Sequence, residues 1–230
     1  MSDRLCAEMP VYNEQDAMKT VLEKWSVESN RIDIDHVIRP YNDGSKGDSL
    51  EVMVCAAVTL PYVEVRDKPN GGHGPTILQG RREAVEDGFD WVFQIDSDDE
   101  MGPESFVRHW SRREDYDFLV GRREGRKRLL SRRIVSLVSR IVVCCFYGKG
   151  NVWDVNTPYR LMRVSALREA FVQIADHTFA PNVILMGMVA RSRLRAIEIY
   201  VLQNDLKNGS GFNQEMEVVL KWWLKVWFRL

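Results

Sequence analysis

Hydrophobic and polar positions change their period repeatedly along the first half of the chain. Short β-rich runs such as RLCAEMPVY and DWVFQID alternate with runs of helical spacing such as EQDAMKTVLEKW and PTILQGRREAVEDG. Strands that alternate with helices are typical of βαβ units, in which the strands lie parallel. The pattern therefore predicts an α/β fold with a mainly parallel central sheet and helices on both of its faces.

Each predicted strand is followed by a polar loop, and these loops read NEQD, NDGSKGDS, KPNGGHGP and DSDDEMGP. Ligands of open α/β sheets bind beyond the carboxyl ends of the strands, which is where the four loops meet. We expect the binding site at that edge. No internal repeat or low-complexity linker divides the chain. Residues 1–120, which contain the four loops, are interpreted as a nucleotide-binding half.

Four acidic side chains follow the apolar strand WVFQI within five residues: Asp96, Asp98, Asp99 and Glu100. Carboxylates this close repel one another, and a bound divalent cation turns that repulsion into a gain. An isolated Asp-x-Asp pair is an ordinary acidic turn as often as it is a metal site. Its place at a strand end favours a metal, and hard oxygen ligands suit Mg²⁺ or Mn²⁺.

Composition removes several classes of function. The 32 basic and 33 acidic side chains nearly cancel, so no overall field attracts nucleic acid, and we expect no nucleic-acid partner. The four cysteines have neither metal-ligand nor disulfide spacing and are predicted to be reduced core residues of a cytosolic protein. No run of roughly 18 apolar residues predicts a membrane span.

Four segments carry a family resemblance: MPVYNE (9–14), NDGSKGDS (42–49), NGGHGPTILQGRREA (70–84) and QIDSDDEMGPE (94–104). In order and spacing they resemble the donor-site motifs of the inverting glycosyltransferases of family 2. The resemblance implies the A-type glycosyltransferase fold and a nucleoside diphosphate sugar as donor. It implies that Asp96 and Asp98 hold the metal and are catalytic. It also implies a set of donor-binding residues: Pro10, Tyr12, Glu14, Asp43 and Asp96.

The chain departs from these motifs at two positions. The second motif commonly has Asp where this chain has Asn42, and the third often has Lys where this chain has His73. A neutral imidazole can donate a hydrogen bond to a phosphate, so His73 is a donor-site candidate, although a lone loop histidine is more often structural. Gly71, Gly72 and Gly74 are interpreted as positions that let the loop approach a diphosphate.

A strongly basic segment, GRREGRKRLLSRR (121–133), begins the second half. A charge run is usually a solvated face. Here, however, the apolar residues that follow recur at helical spacing and leave Arg132, Ser136 and Arg140 on one polar stripe. Two guanidinium groups beside a hydroxyl suit phosphate oxygens, so the stripe predicts an anionic acceptor.

This segment and DVNTPYRLMR (154–163) together resemble the polyprenyl-phosphate branch of the family, which includes dolichyl-phosphate mannosyltransferases. The resemblance implies that residues 121–216 form the acceptor-binding half of the same catalytic domain. Arg123 and Arg132 would be catalytic. The implied acceptor-binding residues are Arg123, Arg132, Ser136, Arg160 and Lys207.

The implied function is metal-dependent, inverting transfer of a sugar to a polyprenyl phosphate. A phosphate monoester attacks without a general base, whereas a hydroxyl acceptor requires one. The acid that many family members place before the closing helix is not evident in TFAPNVIL. Two alternatives stay open. One is a transferase acting on a glycan or lipid-linked hydroxyl, with Asp154 or Asp176 as base. The other is a noncatalytic nucleotide-sugar-binding partner of a membrane complex.

The final segment, EVVLKWWLKVWFRL (217–230), places Lys221, Lys225 and Arg229 on one helical stripe among tryptophans and aliphatic residues. A helix docked on the core is the ordinary interpretation. Tryptophans interspersed with cations are more typical of an interfacial helix, whose rings lie at the level of the lipid headgroups. We therefore expect a cytoplasmic protein, peripheral on the inner face of the membrane.

Overall fold

The computed structural model describes residues 3–32, 34–124, 157–202 and 204. Seven strands are present in this part of the chain: β1 (Arg4–Val11), β2 (Asp35–Asp43), β3 (Arg66–Lys68), β4 (Trp91–Gln94), β5 (Phe118–Glu124), β6 (Arg160–Arg163) and β7 (Ala196–Leu202). Its helices are α1 (Gln15–Arg31), α2 (Ser49–Thr59), α3 (His73–Glu86), α4 (Phe106–Trp110), α5 (Val164–Gln173) and α6 (Pro181–Arg191), with a short 3-10 helix at Pro103–Ser105.

The seven strands form one sheet in the order β3-β2-β1-β4-β6-β5-β7. The strands β1 to β4 are parallel to one another, and β7 is parallel to β5. Only β6 runs antiparallel, between β4 and β5. The predicted α/β class with a mainly parallel sheet is therefore confirmed. The predicted boundary between residues 120 and 121 lies inside β5, and the division into two halves stays a prediction.

Helices cover both faces of the sheet because successive strand residues point to opposite sides. Leu5, Ala7 and Met9 of β1 join the core formed with α1 and α2. The intervening Cys6 joins a second core, formed with α3, α5 and α6. Trp25 of α1 belongs to the first core and packs against Phe93, Phe106 and Tyr159.

Two of the four cysteines lie within the described residues, and both are free thiols. Cys6 is buried, so its predicted place in the core is confirmed. Cys55 is exposed on α2, so that prediction is wrong for Cys55, because its position on the helix faces away from the sheet. Within the described ranges, no helix is both long and apolar enough to cross a bilayer.

Candidate functional site

The loops after β1 and β2 are tied together by hydrogen bonds at the carboxyl edge of the sheet. The amide of Asn13 donates to Ser45 Oγ at 3.1 Å, and the amide of Lys46 donates to Asn13 Oδ1 at 2.8 Å. The amide of Glu14 donates to Ser49 Oγ at 3.0 Å. Asn13 adopts a φ of 57°, a left-handed conformation that asparagine tolerates. The first and second motifs therefore form one connected surface.

Asp43, at the end of β2, organises the loop of residues 70–74, which runs into the start of α3 and which we call the glycine loop. Its two carboxylate oxygens accept hydrogen bonds of 2.8 Å from the amides of Gly71 and Gly72, and Lys68 Nζ contacts Oδ1. Asn70 Nδ2 donates to the Asp43 carbonyl at 2.7 Å. Burial alone would raise the pKa of Asp43, but the hydrogen bonds from Lys68 and the two amides outweigh burial and lower it. Asp43 is therefore a fixed, ionised group.

Two glycines of this loop are required by backbone conformation or by close packing, and the sequence did not indicate either requirement. Gly72 has a φ of 91°, which side chains with a Cβ rarely adopt. A Cβ on Gly74 would lie 2.3 Å from the Thr178 carbonyl oxygen and 2.5 Å from that of Phe179. Gly74 is therefore required by close packing against the chain before α6. His73, between them, is exposed at the start of α3. Contact of this loop with a diphosphate stays a prediction.

The acidic loop after β4 does not use its four carboxylates alike. Asp98 is exposed, and its Oδ1 accepts a hydrogen bond of 2.9 Å from the amide of Glu100. Asp99 has a φ of 56° and pairs with Lys24 of α1. Asp96 is half-buried at the strand end, whereas Glu100 is buried. The loop therefore presents Asp96 and Asp98 at the carboxyl edge of β4.

The acidic loop offers carboxylate oxygens of the kind that divalent cations prefer, and a metal there stays a prediction. Within the described residues no three His, Cys, Asp or Glu side chains are arranged to hold a metal. Mg²⁺ and similar ions, however, commonly take one or two protein carboxylates and complete their shell with water and substrate phosphates. Burial, followed by the negative charges of Asp98 and Asp16, raises the pKa of Glu14. The first motif therefore lies within electrostatic range of the acidic loop.

Asn42 is a buried structural residue at the end of β2. Its Nδ2 donates to Asp67 Oδ1 at 2.7 Å, and its Oδ1 accepts from the Ser45 amide at 3.3 Å. An aspartate here would place two carboxylates in contact.

Of the remaining first-motif residues, Pro10 is buried in β1, and Tyr12 is 37% exposed beyond the end of that strand.

A row of buried polar side chains crosses the sheet directly beneath this edge. Arg39, Glu8, Gln94 and Arg160 are cross-strand neighbours on β2, β1, β4 and β6, and none is more than 4% exposed. Arg81 of α3, itself fully buried, donates from Nε to Glu8 Oε1 at 3.1 Å and from Nη2 to Gln94 Oε1 at 2.9 Å. The sequence interpretation did not include this row. A charged residue within the apolar run LCAEMPV was the available signal.

The acceptor-side candidates are only partly described. Arg160 is fully buried and donates to the carbonyl oxygens of Thr157, at 2.6 Å, and Asn182, at 3.2 Å. Its contact with an acceptor stays a prediction. The backbone of Arg123 lies in β5. Asp176, one of the alternative bases, is exposed and pairs with Arg82. The other predicted positions lie outside the described residues: Arg132, Ser136, Asp154, Lys207 and 217–230.

Comparison with known proteins adds a family to this geometry. The sequence profile of Glycosyl transferase family 2 matches residues 7–171. An undecaprenyl-phosphate 4-deoxy-4-formamido-L-arabinose transferase of Sodalis glossinidius (strain morsitans) is 26% identical over 208 residues, covering 83% of this chain and 61% of the relative. The protein of the same name from Yersinia enterocolitica is 27% identical over 182 residues, covering 75% and 55%. The chain thus spans less than two thirds of these relatives' length.

Solved structures share the fold. A crystal structure of S. aureus TarS 1-349 matches with a TM-score of 0.62 at 13% identity, covering 94% of this chain and 70% of that one. M. tuberculosis glucosyl-3-phosphoglycerate synthase, in complex with Mn²⁺, uridine-diphosphate-glucose and phosphoglyceric acid, matches with a TM-score of 0.63 at 15% identity, covering 95% and 79%. At such identities the likeness shows the fold alone, which is the predicted A-type glycosyltransferase fold.

Proposed function

The chain belongs to Glycosyl transferase family 2, and we propose that it moves one sugar from a nucleoside diphosphate sugar to a polyprenyl phosphate. The observation that carries this proposal is that the curated relatives matched over most of this chain are named as undecaprenyl-phosphate sugar transferases. The basic stripe predicted from the spacing of Arg132, Ser136 and Arg140 supports the same acceptor, because two guanidinium groups beside a hydroxyl suit phosphate oxygens.

On the donor side, the four loops would bind the nucleotide at the carboxyl edge of β1 to β4. Asp43 keeps the glycine loop closed on the end of β2, and Glu14 and Tyr12 line the neighbouring surface. Asp96 and Asp98 would hold Mg²⁺ or Mn²⁺. When bound, such an ion neutralises charge on a departing diphosphate. The chain's own contribution is to hold these groups in place before the donor arrives.

On the acceptor side, an oxygen of the lipid phosphate would form the new bond to the anomeric carbon as the bond to the diphosphate oxygen breaks. Attack from the face opposite the leaving group inverts the configuration. A phosphate monoester is largely dianionic near neutral pH, so no proton has to be removed. At the first turn of α6 the chain has Asn182, whose Oδ1 accepts a 2.7 Å hydrogen bond from Arg81, in place of a carboxylate base.

The test is transfer from labelled nucleotide sugars to undecaprenyl or dolichyl phosphate, with variants of the basic stripe. Loss of one charge-assisted contact typically costs ~1.5 to 3 kcal/mol, so Arg132→Ala should reduce transfer roughly ten- to a hundred-fold. Arg132→Lys should be intermediate because lysine keeps the charge without the planar fork. Arg133→Ala, one residue away and off the stripe at helical spacing, is the matched control.

Nucleotide affinity should stay near wild type in the Arg132 variants, since the donor loops belong to other segments. Weakened nucleotide binding with unchanged dependence on polyprenyl phosphate would contradict the acceptor assignment. Transfer to a hydroxyl, lost on removing one carboxylate, would support the hydroxyl-acceptor alternative. Nucleotide-sugar binding without turnover on any acceptor would support the noncatalytic alternative.

A further inference from the structure

Two buried arginines converge on the first turn of α6. Arg81 Nη2 donates to Asn182 Oδ1 at 2.7 Å, and Arg160 Nη1 donates to the Asn182 carbonyl oxygen at 3.2 Å. Both arginines are fully buried. Asn182 is therefore held through its side chain by α3 and through its backbone by the residue that begins β6. Asn182 has the only side chain with a hydrogen-bond acceptor in the first turn of α6, because the other residues of this turn are Pro181, Val183 and Ile184.

Arg81 connects this turn to the strands that carry the donor-site residues. It bonds Glu8 and Gln94, which are paired across β1 and β4. Glu8 lies two residues before Pro10 in β1, and strand residues two apart share a face of the sheet. Gln94 ends β4, and Asp96 follows it by two residues. The buried row is therefore the layer directly under the predicted donor site, and Asn182 is bonded to that layer.

The backbone of residues 178–179, just before Asn182, packs against Gly74 of the glycine loop. The carbonyl oxygens of Thr178 and Phe179 approach Gly74 so closely that no Cβ would fit. Phe179 is 47% exposed beside this contact. Residues 178–182, which we call the bridging segment, are therefore held at one end by the glycine loop and at the other by Arg81 and Arg160.

We propose that Arg81 and Asn182 are positioning residues that hold the bridging segment against the glycine loop, so that this segment forms the acceptor-side wall of the donor site. The inference rests on the proposed function for what the wall does. Stability alone is a weak reason for such a cluster, because buried ion pairs are often replaceable by apolar residues at no cost. Precise positioning of the bridging segment is a stronger reason, since a shift of about 1 Å in a reacting group can cost roughly 100-fold in rate.

The first test is Asn182→Ala, which removes the acceptor for Arg81 and leaves the backbone contact with Arg160. Turnover should fall roughly ten- to a hundred-fold, while nucleotide affinity should stay within about threefold of wild type, because Asp43 still holds the amides of Gly71 and Gly72. Ser192→Ala is the matched control. It removes a 2.7 Å hydrogen bond to the Val189 carbonyl at the far end of the same helix and should leave turnover unchanged.

A rescue and a second perturbation separate positioning from general damage. Asn182→Asp keeps an oxygen facing Arg81 and should restore most of the turnover. Gly74→Ala pushes the bridging segment from the opposite side and should give the same kinetic defect. Because both changes act through one segment, the double variant Gly74→Ala with Asn182→Ala should lose less than the product of the two single losses.

Hydrogen exchange gives a readout that does not depend on transfer. In Asn182→Ala, amide exchange should rise in residues 178–182 and also at Gly74, which they contact, with the Asp43-bonded amides of Gly71 and Gly72 and helix α1 unchanged. Exchange that rises in α6 alone, or turnover equal to wild type, would overturn the positioning role. If wild type transfers no sugar to any polyprenyl phosphate, the proposed function fails. The exchange pattern still decides whether Asn182 holds the segment to the loop.

Discussion

Glu8 offers a direct measure of what the buried polar row costs. It lies in the middle of β1, is 1% exposed, and has Arg81 as its ion-pair partner at 3.1 Å. Burial raises the pKa of Glu8 to about 7, although the charge of Arg81 and its hydrogen bond act in the opposite direction. Glu8→Gln keeps the size and an acceptor oxygen but cannot ionise. The variant therefore isolates the contribution of the ionised form.

The magnitude follows from linkage between proton binding and folding. A shift from 4.5 to about 7 corresponds to about 3 kcal/mol of stability. Since the pKa is raised in the folded protein, this contribution is complete below pH 4.5 and is lost as pH rises through 7. His109 acts oppositely in the same window, because burial lowers its pKa from 6.5 to about 4, so its contribution is lost as pH falls.

The assay is urea unfolding of wild type and Glu8→Gln between pH 4.5 and 8. The difference between their free energies of unfolding should move by about 3 kcal/mol in favour of Glu8→Gln as pH rises. His109 is common to both proteins and drops out of the difference. Glu86→Gln, which removes an exposed carboxyl from α3, controls for the general loss of a negative charge. A difference that stays constant with pH would refute the argument that burial dominates at Glu8.

Three further perturbations test the donor edge and the tail. Asp98→Asn removes the charge of a predicted metal ligand with little change of shape, so transfer should be lost while the urea midpoint stays near wild type; full activity in chelator or in the variant would contradict the metal assignment. Asn42→Asp brings a second carboxylate to Asp67, which should raise one of the two pKa values and cost about 3 kcal/mol at neutral pH. That loss should shrink as pH falls and disappear when Asp67→Asn is added. Deleting residues 218–230 should release the protein from anionic liposomes without unfolding it; unchanged co-sedimentation, or unfolding, would favour a docked helix.

The alternation of strands and helices could be predicted because each element in the first half has a clear hydrophobic period. The loops after β1, β2 and β4 could be placed at one edge for the same reason, since parallel strands bring their carboxyl ends together. The antiparallel β6 could not be predicted in this way. Its four residues, Arg160–Arg163, have a buried arginine at their start, and its direction is set by pairing with β4 and β5.

The roles of individual polar residues were harder to predict because they depend on partners distant in sequence. Asp43 was placed in the site by resemblance, but its engagement by Gly71 and Gly72 required the folded loop. Gly74 was interpreted as leaving room for a ligand, whereas the group that approaches it is the backbone at 178–179. Arg81 had no predicted role, since its contact with Asn182 joins residues 101 positions apart.

Hydrogen bonds between protein groups organise the predicted donor edge. Asp43 closes the glycine loop, Asn42 and Asp67 join β2 to β3, and Asp98 accepts the amide of Glu100. A ligand that enters loops already held in this way loses little affinity to ordering them. The proposed acceptor-side wall has a different support, because α6 is bonded to the buried row through Asn182. We therefore expect donor binding and the placement of an acceptor to be separable properties that meet where Gly74 contacts the backbone of 178–179.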